Sequence, residues 1–492
     1  MMCPGGRQSR QLNAALAAVI ASCMTSAASA AEWSTRANVA PSVTYTDNVC
    51  LTSSNKKSDW VGTLTPSGAV SAKGRKASLN VSGSVQLNSL TNSALKSKGC
   101  NGLYDDREQY SPEIRAALNT VLIDNWMNLE VLGKADQNEV TSRVSGGGDD
   151  LNRTGNTNTY YRYSITPKIN RRFKDWVNLS ASYTWDEQFN SNSAVRDSNR
   201  HKVNMKLSNA TPSKWTRSIQ GRYTRVQYGE NFNGLSRKDT ELANARLNLA
   251  YRFSRRWAVN GYIGEEWNEY QTTLNGDKDG SAWDLGVQWT PTQRTSISVG
   301  SGDRFFGSTP RVNIQHTHRR HRFSANYRKE VTFERDLRTD DLGGFEDNID
   351  NPSVLSNGPI LDERLAMGWV YTGRRSTLSV NGNYSEQTRS EDGEQSVFKN
   401  INVNFSPQIP SAFSLSFLAG WNEDEPRGRI DELPQFDDSS KSESWNFGIS
   451  LARQFNNRIG LSLNWMHTLR DGNNEFNDYS ENRVTATLGI AL

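Results

Sequence analysis

Cys50 and Cys100 are the residues whose chemistry is most constrained by the sequence. The chain has four cysteines, and the other two, Cys3 and Cys23, lie in a leader-like opening. Two thiols left in an exported chain meet an oxidising compartment, where pairing is the default expectation. Other reactive side chains are sparse. His316, His318 and His321 crowd into H-T-H-R-R-H-R at 316–322; such a cluster suits a metal or a polyanion, but its arginines favour a plain basic turn. The S-G-G-G-D-D run at 145–150 resembles part of a calcium loop and reads better as an external loop. No Gly-rich phosphate loop, zinc spacing or EF-hand is present, and no Ser, His and carboxylate set marks a hydrolase. The expectation is a non-enzyme with no cofactor and no metal.

The compartment follows from the first 30 residues. Arg7 and Arg10 form a basic opening, Leu12 to Ala21 is an apolar run too short for a bilayer, and Ala28-Ser29-Ala30 offers a cleavage site. Residues 1–30 are therefore expected to be a signal peptide, with 31–492 as the mature chain. Ile20-Ala21-Ser22-Cys23 is a competing lipidation box, which would make Cys23 the N-terminus. No other segment approaches the apolar length of a membrane helix.

Composition narrows the fold. Only 35% of 492 residues are hydrophobic and mean hydropathy is −0.72, too polar for ordinary buried cores. Fourteen tryptophans argue against disorder. An apolar outside around a wet inside reconciles the two. The net charge of +4 gives no reason to expect a nucleic-acid partner.

From Trp33 onward, stretches of alternating apolar and polar residues are separated by polar breaks. Ala77, Leu79, Val81, Gly83, Val85 and Leu87 share one face; Phe413, Leu415, Phe417, Ala419 and Trp421 share another. Period-two alternation marks strands with one apolar side. The reading is all-β: a single large antiparallel transmembrane β-barrel of about 22 strands, bounded by roughly 18 and 24. The pattern is weakest at 109–118, 213–225 and 295–317. Soluble solenoids and sandwiches are the alternative.

The breaks alternate in length. Short ones fall at 72–76, 170–175, 254–256, 291–294, 319–321, 373–375 and 456–458; long ones at 136–158, 186–200, 226–241, 266–281, 331–363, 422–444 and 469–481. An up-and-down barrel with short periplasmic turns and long external loops has this signature. The short turns are basic, while the long loops lean acidic. Trp257 and Trp267 share a face ten residues apart, about 33 Å of strand; tilted, this spans about 25 Å of membrane normal. Trp445 and Phe455 repeat the spacing. Glu265 and Arg453 fall on the lipid face of these strands, near a rim. Cys50 and Cys100 map to neighbouring external loops. Strands begin almost at Ala31, which leaves no room for a plug domain and argues against a plugged transporter.

Inward positions over 160–252 carry Arg162, Lys168, Lys202, Lys206, Arg222, Arg246 and Arg252. Those from about 377 onward are mainly Asn, Ser, Thr and Gly, such as Ser379, Asn381, Asn402, Asn404, Ser450 and Asn464. Two readings follow. A basic wall could steer an anionic or polyhydroxylated substrate, or lumenal acids and inward-folded loops could neutralise it; the second is preferred.

A-P-S-V-T-Y-T-D-N-V at 40–49 and S-D-W-V-G-T-L-T-P-S-G-A-V-S-A-K-G-R-K at 58–76 resemble outer-membrane β-barrel proteins associated with PEP-CTERM/exosortase and exopolysaccharide gene clusters. The match rests on Pro41, Tyr45, Asp47, Asn48, Thr65 and Pro66. The cysteine pair and the final Leu492 depart from that pattern. The resemblance implies a barrel in the bacterial outer membrane, associated with exopolysaccharide export or cell-surface assembly. Its expected partners are outer-membrane lipid, the barrel-assembly machinery and polysaccharide or envelope secretion components. A general or anion-preferring porin and a surface-binding barrel acting through acidic loops are the alternatives.

Overall fold

The computed structural model describes residues 31–91, 100, 110–140, 151–152, 156–211, 213–229, 239–272, 277–337, 354, 356, 358–409, 413–427, 441–472 and 478–492. The leader expected at 1–30, with Cys23, and the run at 145–150 lie outside them. The chain opens with β1 (Glu32–Thr46), β2 (Asp59–Lys73), β3 (Ala77–Leu90), β4 (Tyr110–Ile123), β5 (Met127–Glu139) and β6 (Thr157–Phe173). Next come β7 (Val177–Asn190), β8 (Ser198–Asn209), β9 (Trp215–Tyr228), β10 (Thr240–Arg252), β11 (Trp257–Glu269) and β12 (Gly280–Thr292). After β13 (Thr295–Arg304), the two-residue β14 (Gly307–Ser308) precedes β15 (Arg311–His318) and β16 (His321–Phe333). One helical turn, α1 (Glu334–Leu337), leads towards β17 (Pro359–Thr372), β18 (Ser376–Arg389) and β19 (Gln395–Pro407). The remaining strands are β20 (Phe413–Arg427), β21 (Ser442–Gln454), β22 (Ile459–Asp471) and β23 (Tyr479–Ala491).

Successive strands pair antiparallel, β13 pairs with both β14 and β15, and β23 returns to β1. The result is a closed barrel of 22 crossing strands with β14 as an extra. Closure removes every free sheet edge, so backbone groups need no water inside a bilayer. Large apolar side chains point outward, with Ile263 62%, Leu285 58% and Trp60 53% exposed. Exposure of that kind, ringed by Trp257 and Trp289 near one rim and Trp267 and Trp283 near the other, is the belt of a lipid-embedded barrel. Arg453 sits on this face and lies over the rings of Phe413 and Phe455, at 4.8 and 5.1 Å, which softens its charge at the rim.

The strands outrun the expected loop boundaries. β17 starts at Pro359 and β20 continues through Glu423 to Arg427, inside the loops expected at 331–363 and 422–444. Above the membrane both faces are wet, so alternation stops while the hydrogen-bonded ladder continues. The weak region at 295–317 is a pair of short strands broken at β14, with Gly300 and Gly302 on the inner face of β13. A Cβ at Gly300 would come within 2.9 Å of the Arg311 guanidinium, so the glycine leaves that side chain room against the wall.

Tyr45, Asp47 and Asn48 act at the seam. Asp47 Oδ1 accepts from the Asn482 amide and Oδ2 from its side chain, both at 2.8 Å. Asn48 Nδ2 donates to the carbonyls of Thr52 at 2.7 Å and Ser480 at 3.1 Å. Thr46 Oγ1 donates to Glu481 Oε1 at 2.6 Å, and Tyr45 packs against Trp60. Thr46, Asp47 and Asn48 thus fasten the first strand to the last at the external end, while Tyr45 braces β1 against β2. Asp47→Ala is expected to cost about 1.5–3 kcal/mol through two charge-assisted bonds. Asp124→Ala, which removes an exposed pair with Lys76, should cost at most about 1 kcal/mol. Heat-modifiability on gels reads both; equal midpoints would remove the seam role.

Candidate functional site

The lumen and the segment folded into it hold the densest chemistry. Even-numbered residues of β6 to β10 face inward because the odd-numbered ones meet lipid. Asp186 on β7 is 1% exposed and faces three guanidinium groups. Arg162 reaches its Oδ2 through Nε at 3.0 Å and Nη2 at 2.7 Å; Arg200 reaches the same oxygen at 2.8 Å. Arg335 of α1 bonds Oδ1. Asp336, beside it, accepts from Arg200 Nη1 with both oxygens at 2.7 Å.

This cluster joins distant strands. Arg335 lies two residues beyond β16, yet its partner is on β7, about a third of the barrel away in strand order. The turn α1 therefore reaches across part of the lumen near its external end. Burial pulls the Arg335 guanidinium down to about 10, against the pull of Asp186, so it remains protonated at neutral pH. Behind α1, Leu337 packs with Val354, Ile360 and Phe398. Ser356 N donates to Glu334 Oε2 at 2.7 Å and Val354 N to Gln387 Oε1 at 3.1 Å, which ties the far end of the segment to β18. Thr272 Oγ1, after β11, also donates to the Ser390 carbonyl after β18.

The basic candidates divide. Arg162 belongs to the cluster just described. Lys168 pairs with Glu130 at 2.8 Å. Arg246 pairs with Glu266 at 2.6 Å while lying over Tyr262, and Arg304 shares Glu266 at 2.9 Å. Arg222 donates through Nε to Asn204 Oδ1 at 3.1 Å. Lys202 faces the lumen on β8; Lys206 on the same strand and Arg252 at the other rim are exposed. Arg311 on β15 binds Asp284 at 2.6 Å, a lumenal pair that inspection of the chain missed.

Cys50 and Cys100 form a disulfide, with sulfurs 2.09 Å apart and Cα atoms 5.3 Å apart. Cys50 packs with Val49, Val61 and Leu90, and Leu151 lies against the group. His316 and His318 stack outward, and His321 lies against Trp369 and Tyr371 near the periplasmic rim. Among the described residues, no group of three or more His, Cys, Asp or Glu is placed to hold a metal.

Asp186, Arg200, Arg335 and Asp336 were missed because all four lie within segments that read as external loops, 186–200 and 331–363. The excess of inward cations was the available signal: a wall that basic calls for buried acids.

No protein-family model matches the chain, and no curated protein matches it. Solved structures do. The siderophore receptor PirA from Acinetobacter baumannii is 9% identical, with a TM-score of 0.53 over 93% of this chain and 80% of its own. A mutant of the ferric enterobactin receptor PfeA from Pseudomonas aeruginosa gives 10% and 0.54, over 94% and 81%. The FrpB iron transporter from Neisseria meningitidis gives 10% and 0.54, over 93% and 82%. The likeness is one of fold. With the lipid-facing belt, it makes this chain an outer-membrane β-barrel and places it in the bacterial outer membrane.

Proposed function

We propose that the barrel is a non-enzymatic, gated conduit for polar saccharide cargo in exopolysaccharide export or cell-surface assembly. The turn α1, clamped to Asp186, carries this reading, because a helical turn docked inside the lumen controls what passes. The cargo class is supported by the amide- and hydroxyl-rich inner face of β18 to β22, including Ser379, Asn381, Asn402 and Asn464, which matches sugar hydroxyls. The resemblance at 40–49 and 58–76 supports the same assignment. Its Asp47 and Asn48 already have a structural task at the seam, so they are not offered as cargo contacts.

In-frame deletion of the gene should lower released polysaccharide severalfold, and the full chain in trans should restore it. Unchanged polymer release would overturn the proposal. The fold likeness to PirA, PfeA and FrpB supports a second reading, uptake of a metal chelate. Loss of growth on ferric chelates in the deletion strain, with polymer intact, would favour it.

A further inference from the structure

Inward positions on β8, β9 and β10 contain no carboxylate. They carry Arg200, Lys202, Lys206, Arg222, Arg246 and Arg252, with Asn204, Gln220, Asn244 and Asn248 between them. Asp186 and Glu266, on the flanking strands, are committed to the clamp and to Arg246 with Arg304. Glu330, on β16, is paired with Arg328 at 3.1 Å. The surplus cation therefore concentrates in the middle of this wall, on Lys206 and Arg222.

Register sets their spacing. Asn204 faces Arg222, and Lys206 faces Gln220, so Lys206 and Arg222 are diagonal neighbours. Arg222 faces Asn244, which puts Arg246 on the next diagonal. Diagonal pairs in an antiparallel sheet lie roughly 7–8 Å apart. Arg222 spends only Nε, on Asn204, and among the described residues its Nη groups and the Lys206 ammonium make no hydrogen bond. Both side chains are exposed although they stand inside the barrel, so they meet lumenal solvent.

We infer that Lys206 and Arg222, with Asn204 and Gln220, form a binding site for carboxylated saccharide, an oligouronate segment. A guanidinium offers a fork that matches a carboxylate, the ammonium adds a point charge, and the amides match ring hydroxyls. A neutral sugar would use the amides alone. This deepens the conduit reading, on which it rests, by naming the cargo as acidic.

Titration calorimetry on the detergent-solubilised full chain tests the site, with oligogalacturonate and a neutral galacto-oligosaccharide of equal length as probes. The acidic oligomer should bind at least about tenfold more tightly, and added salt should erode the difference. Lys206→Gln with Arg222→Gln should abolish the preference, while Lys206→Arg with Arg222→Lys should keep most of it. Unchanged heat-modifiability certifies folding of each variant. Equal binding of both probes, an unchanged preference in the glutamine variant, or equal competition by inorganic phosphate would overturn the inference. An acidic preference in a barrel whose deletion leaves polymer release intact would sink the export reading instead; lost polymer release with no acidic preference would sink only this site.

Discussion

Asp186→Ala should open the barrel. One carboxylate serves Arg162, Arg200 and Arg335, and through Arg335 it joins α1 to β7. Its removal leaves three cations crowded in a buried place, with Asp336 as the remaining acid. Losing one partner of a buried ion pair costs about 3–5 kcal/mol. If that cost falls on docking, the equilibrium constant for the clamped state drops by a factor on the order of 10² to 10⁴. Single-channel recording should then show frequent long openings in Asp186→Ala and rare ones in the parent. Arg335→Ala should open the barrel too, by a smaller factor, because Asp186 retains two guanidinium partners. Equal open probability in parent and Asp186→Ala would mean that α1 does not gate.

Cys50→Ser together with Cys100→Ser should lower the unfolding midpoint substantially. The bridge spans 50 residues, and constraining a loop of that length in the unfolded chain is worth about 4 kcal/mol in the chain-entropy model. The loss should extend beyond the two loops. Cys50 packs on Val49, Val61 and Leu90, and Asn152 joins this group to Glu481 of the last strand at 3.1 Å. Reductant should reproduce the effect in the parent and do nothing to the double-serine chain. A parent indifferent to reductant would remove the bridge from the stability of the barrel.

The strands were legible because their evidence is local. Leu247, Leu249 and Tyr251 alternate with Asn248 and Ala250, and outward placement of the odd positions follows from the pleat alone. The 295–317 region was obscure because β13 and β15 carry glycine and short apolar runs around a break, where Gly300 serves Arg311 rather than lipid. Loop ends were misplaced for a related reason. Strand pairing above the membrane, as at Glu423 to Arg427, leaves no hydrophobic mark.

The cationic wall shows where local evidence stops. Period two was enough to point Arg162, Lys168, Lys206, Arg222 and Arg246 inward. It could not say which acids neutralise them. Arg335 and Asp186 stand 149 positions apart, and Arg200 and Asp336 stand 136 apart. Such partners are selected by barrel closure and by the fold of α1 into the lumen, and no periodicity encodes either. Alternation was enough to read β-strands with one lipid face and one polar face, because it is a property of each strand. Only the folded chain shows that the outer part of the basic wall is tied to α1 and that, among the described residues, Lys206 and Arg222 make no ion pair, because charge compensation depends on distance in space.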